Sequence, residues 1–130
     1  MGGAFIHMVI TGVLIAESLR TGARLEGVTL TVRRIAREDD GDTDAGQPLT
    51  WTFIEFEAPL DEAEELAAAL SRAIDKRLGW YCDFRSPSET FVVFAERVFR
   101  YPRGDKDGRS QAETHARSMG VPESQLDWPE

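Results

Sequence analysis

The chain is 130 residues long, 42% apolar and 29% charged, with 15 Lys and Arg against 23 Asp and Glu for a net charge of −8. That length and apolar content suit one domain around a single hydrophobic core and exclude wholesale disorder, while the negative balance opposes contact with a phosphate backbone. Cys82 is the only cysteine, which excludes an intramolecular disulfide and a multi-cysteine zinc site and fits a reducing cytoplasm.

The apolar stretch 4–16 has no basic leader and is too short, and too interrupted by His7, Thr11 and Gly12, to cross a bilayer. Its β-branched content predicts a strand over residues 7–19. Met1-Gly2-Gly3 starts like a myristoylation signal, but Ile6 stands where Ser or Thr is required. After Gly22, residues 25–37 predict a second strand, in which Val28, Leu30 and Val32 alternate with Thr29, Thr31 and Arg33. Ile35 leaves that parity, which calls for a bulge near Arg33 and Arg34 or a bend. Residues 38–48, with four aspartates and two glycines, predict a mobile acidic surface loop.

A third strand is expected over 50–58 and ends at Pro59. Asp61 and Glu64 form a capping-box pattern for a helix running to about Leu78, with Gly79 as its stop. Ala63, Leu66, Ala67, Leu70, Ala73 and Ile74 recur at helical spacing and form its core stripe. Residues 80–84 and 90–94 predict paired strands around a turn at 85–88, and 98–101 returns as a sixth strand. A second helix is expected to start between Asp107 and Ser110, where Ser110 and Glu113 repeat the capping box, and to end at Gly120 before Pro122. The order βββα-βββα, with no helix between most strands, predicts a single α+β domain: an antiparallel sheet in two meanders carrying two helices, with a ferredoxin-like arrangement as the alternative. The tail 122–130 either docks Leu126 and Trp128 or frays.

The chemistry concentrates in residues 79–105, which hold seven of the twelve aromatic side chains together with Arg85, Arg97, Arg100 and Arg103. Such a block closes a small core or lines a recognition surface. Trp80, Cys82 and Phe84 share one parity and are expected inside, so Tyr81, Asp83 and Arg85 face the other way. Arg100, Tyr101, Arg103 and Gly104 lead into the second helix, whose N-terminus favours negative charge. These seven residues (Tyr81, Asp83, Arg85, Arg100, Tyr101, Arg103 and Gly104) are the candidate ligand-binding set. The competing explanation is structural, with Asp105 or Asp107 capping the helix and Glu89 and Glu96 pairing with the arginines.

Other constellations carry less. Asp40, Asp42 and Asp44 match the first ligand positions of a calcium loop, but Ala45 and Trp51 stand where Gly and the bidentate Glu are needed. Glu55 and Glu57 share a strand face as paired carboxylates do, and solvent-face charges do the same. His7 and His115 are the only histidines, and His115 falls on the apolar side of the second helix, where a packed role is expected. No phosphate-loop, dinucleotide, nucleophile-elbow or zinc-protease pattern occurs, and no cofactor or metal is implied.

The blocks GWYCDFRS (79–86), ETFVVF (89–94), RVFRYPRGD (97–105) and VPESQLDW (121–128) resemble those of a family of small bacterial proteins without an established activity. The resemblance implies a bacterial, cytoplasmic setting and assigns no residue a role. The expectation is therefore a small binding or interaction module that recognises an anionic small molecule or a protein segment, with homodimerisation as a way to cover exposed sheet. The alternative is an enzyme whose site assembles Tyr81, Asp83, Arg85 and His115.

Overall fold

The computed structural model describes residues 8–130; His7, the first residue of the expected N-terminal strand, and the Met1-Gly2-Gly3 and Ile6 positions lie outside them. Strands β1 (Val9–Ile15), β2 (Thr31–Glu38), β3 (Trp51–Pro59), β4 (Cys82–Arg85), β5 (Glu89–Phe94) and β6 (Arg97–Pro102) form one antiparallel sheet in the order β2-β3-β1-β4-β5-β6. Helix α1 (Ala63–Ala73) links β3 to β4, and α2 (Lys106–Ser118) follows β6. This is an α+β fold. β1 lies between β3 and β4 and joins the two halves of the sheet.

Register divides the side chains between two faces. On the first face, Ile10, Leu14, Phe56, Phe84, Phe91 and Val93 are buried under the Leu66, Ala67 and Leu70 stripe of α1, each large side chain contributing about 1.5–3 kcal/mol. Gly12 sits at the centre of β1, paired with Phe56 on one side and Phe84 on the other. A Cβ there would come within 2.6 Å of the Asp83 carbonyl and Phe84 Cβ, so glycine lets the two rings pack across it at 6.5 Å.

On the second face, Val92, Phe94, Phe99 and Tyr101 of β5 and β6 are buried by Ala112 and Ala116 of α2, together with Val121 and Trp128. α2 covers only that half of the sheet.

Several expected elements differ in extent. The first strand stops at Ile15, because residues 16–18 turn into a single 3-10 turn and Leu19 pairs with Ile74 instead. The second begins at Thr31, since Leu25, Val28 and Leu30 pack on the first core from irregular backbone. β2 is an edge strand with Val32 half exposed and Ile35 63% exposed, so the buried face expected of it is not formed. Its bulge does occur, between Val32 and Arg34. α1 ends at Ala73 rather than near Leu78, because Ile74 turns extended to make its pair with Leu19. Neither capping box forms. The α1 start carries no side-chain cap, Glu64 instead pairing with Arg100, and α2 is capped by the Asp105 carboxylate accepting from the Asp107 N–H while Glu113 pairs with Arg109.

Candidate functional site

The parity expected of β4 holds: Trp80, Cys82 and Phe84 are buried, and Tyr81, Asp83 and Arg85 project from the second face. There they border the half that α2 leaves open. Val13, Ile15 and Phe53 form its floor, with Val13 37% exposed and the other two partly exposed. A groove of about 830 Å³ lies over this floor, within the range of about 300–1,000 Å³ usual for ligand clefts.

Two walls bound the groove. The first is the acidic connection between β2 and β3, which contributes Asp40 and Asp42. This segment is built around Gln47, a residue only 3% exposed. Gln47 Nε2 donates to the Leu78 carbonyl at 2.9 Å and Gln47 Oε1 accepts from the Asp42 N–H at 3.0 Å. The Asp42 carboxylate is occupied in closing its own turn, accepting from the N–H groups of Asp44 and Ala45. Among the described residues no three metal-ligating side chains converge.

The second wall is the segment after α2, residues 122–130, which docks as a strap. Trp128 is 3% exposed; its indole N–H donates to the Tyr101 hydroxyl at 2.8 Å and its ring meets Tyr81 edge-on at 5.3 Å. Arg109 donates to the Trp128 carbonyl at 2.7 Å and lies over the indole at 4.8 Å. The Tyr81 hydroxyl donates to the Gln125 carbonyl. Gln47 and Gln125 donate to each other's side-chain oxygens at 3.1 and 2.8 Å, so one amide pair ties both walls together. The Gln47 carboxamide had no sequence signal, being one amide in an acidic run; Asp127 likewise has no periodic neighbour to mark it.

Charge in the groove is mostly negative. Asp40, Asp42, Asp83 and Asp127 line it against the single guanidinium of Arg85. The Asp83 carboxylate has Arg85 as its nearest cation, at 4.0 Å. Burial pushes the Asp83 carboxyl up to about 6, with Arg85 opposing the shift and Asp127 adding to it. The Tyr81 phenol is raised by burial first and then by Asp83 and Asp127, which keeps it a neutral hydrogen-bond donor.

The remaining candidates do not join this site. Arg100 lies on the first face, where it bonds both Glu89 oxygens at 2.8 Å, reaches Glu64 at 2.8 Å and covers the Phe91 ring. Arg103 reaches the carbonyls of Ser86, Pro87 and Glu130 at 3.4 Å. Tyr101 is buried as the acceptor for Trp128, and Gly104 makes the left-handed turn before α2 with φ 83°. His115 packs on Phe94 and Phe99 and lines a separate hollow with Arg97; burial and then Arg97 lower its pKa. The structure therefore unites Tyr81, Asp83 and Arg85 and leaves the histidine elsewhere. Cys82 is sealed in the core, its thiol 3.4 Å from the Val13 carbonyl and raised by burial. Glu55 and Glu57 bond Arg34 and Arg33 at 2.6 Å.

Fold and groove together define a small α+β protein with an open, acid-rimmed apolar groove. No protein-family model matches the chain, and no match was found among curated proteins or solved structures. Among the described residues no helix is long and apolar enough to cross a membrane.

Proposed function

We propose that this chain is a small binding module that takes a segment of another protein chain in the groove beside the strap. One observation carries the reading: the uncovered half of the second face presents Val13, Ile15 and Phe53 to solvent between two walls held in place by their own hydrogen bonds. An apolar floor with a few convergent polar groups is the usual composition of a recognition site. An anionic small molecule has weaker support, because Arg100 pairs with Glu64 and Glu89 on the opposite face and Arg103 does not line the groove. A catalytic site has weaker support too, since His115 lines a different hollow and the Cys82 thiol is buried.

The test is methyl NMR of the protein with a pool of random amidated heptapeptides. Binding in the groove is expected to shift Val13 and Ile15 and to vanish in Val13→Glu, whose fold is checked by circular dichroism. Shifts that avoid these methyls, or that persist in the folded Val13→Glu variant, contradict the reading.

A further inference from the structure

The groove's floor and its rim make different demands on an occupant. The floor rewards aliphatic or aromatic side chains, each contributing through the area it removes from water. The rim is the more selective part. Asp83 lies largely buried beside Asp127, with Tyr81 between strap and sheet, and across the opening Asp40 and Asp42 add like charge. Arg85 at 4.0 Å and the more distant Arg109 offset part of this charge, against four aspartates on the groove lining. An incoming carboxylate would meet repulsion from several directions, whereas a cation would neutralise charge that the fold has already partly removed from water.

The shape of the cation's surroundings adds a preference. Tyr81 lines the groove as a ring whose hydroxyl lies 3.5 Å from the Asp127 carboxylate, and guanidinium stacks on rings while donating in a plane to carboxylates. Ammonium would satisfy the charge without that geometry. A partner matched to both floor and rim is an extended basic-apolar segment.

Building on the reading of the groove as a binding site, we infer that the partner segment inserts an arginine between Asp83 and Asp127, with apolar side chains on either side of it resting on Val13, Ile15 and Phe53. The arginine discriminates; the apolar neighbours supply contact area. Charge complementarity is what commits the groove to this occupant.

The probes are three amidated heptapeptide pools, with Arg, Gln or Glu fixed at the centre and Leu, Val, Ser and Thr mixed elsewhere. Affinities are measured by titration calorimetry on the wild-type chain, on Asp83→Asn with Asp127→Asn, and on Arg100→Ala as a distant control. The Arg pool is expected to bind about tenfold or more tighter than the Gln pool, to lose that advantage in the double variant and to keep it in the control. The substitutions keep side-chain volume, and Asp83→Asn removes a charge the fold disfavours, so unfolding does not confuse the result. Equal binding of the Arg and Gln pools, preference for the Glu pool, or an advantage that survives the double variant overturns the arginine inference while leaving the groove reading intact. Failure of every pool to bind overturns both.

Discussion

The two halves of the second sheet face were built from similar strands but met different fates. Over β4, β5 and β6, Val92, Phe94, Phe99 and Tyr101 are sealed by α2 and by Trp128 of the strap. Over β1 and β3 the same face carries Val13, Ile15 and Phe53 among Glu55 and Glu57, and among the described residues no helix lies on it. The first half is core and the second half is surface, and the groove forms along their boundary, where β4 contributes Tyr81, Asp83 and Arg85. The proposed binding capacity comes from incomplete coverage of a sheet, with the strap serving as both lid of the core and wall of the groove.

Removing the strap's anchor tests that division most severely. Trp128→Ala is expected to cost about 3–5 kcal/mol in urea unfolding, because the indole fills core between Tyr81 and Tyr101, and to abolish groove binding with it. A loss under about 1 kcal/mol would show that the strap is not part of the core. Gln47→Ala is expected next, at about 1–3 kcal/mol, since it strips partners from the Leu78 carbonyl and the Asp42 N–H. Hydrogen exchange should quicken at Asp42 and leave α1 unchanged; uniform quickening would refute the local role.

Asp83 sharpens the comparison through pH. Its carboxyl is raised from 3.8 to about 6, so the folded state holds a proton that the unfolded chain has already released. Stability from this group is therefore present below the unfolded value and is lost as pH rises through the folded one. Asp83→Asn should remove that slope and stabilise the protein near neutral pH by no more than about 3 kcal/mol. Carboxylates held low by partners, such as Glu89 beside Arg100, act in the opposite sense, so the quantity to follow is the difference between wild type and Asp83→Asn across about pH 4 to 8. A flat difference would deny that the groove desolvates this carboxylate. The smallest effect belongs to the first face: Arg100→Ala should cost about 1 kcal/mol or less, as its pairs with Glu64 and Glu89 are partly exposed.

What the sequence reveals about this molecule follows from which signals are local. The α1 stripe and the β4 parity are periodic patterns, and both place their residues correctly. The bulge beside Arg33 was visible as a break in alternation. Element ends were not visible, because Leu19 pairing with Ile74 depends on residues 55 positions apart and overrides the local preference for more strand and more helix. Of the site, Tyr81, Asp83 and Arg85 were legible from alternation alone. The Gln47–Gln125 pair, 78 residues apart in the chain, was not, since an amide gives no periodic or compositional signal. Arg100 is next to Tyr101 in sequence, but strand alternation puts it on the opposite face.

The most direct test locates the bound arginine itself, by intermolecular NOEs between its side-chain methylene protons in a peptide from the Arg pool and the protein. Contacts to the ring of Tyr81 and to Val13, both lining the groove, are expected. Contacts instead to Val32 and Ile35, the exposed apolar residues of the edge strand β2, would place recognition on the other side of the sheet and contradict the groove reading.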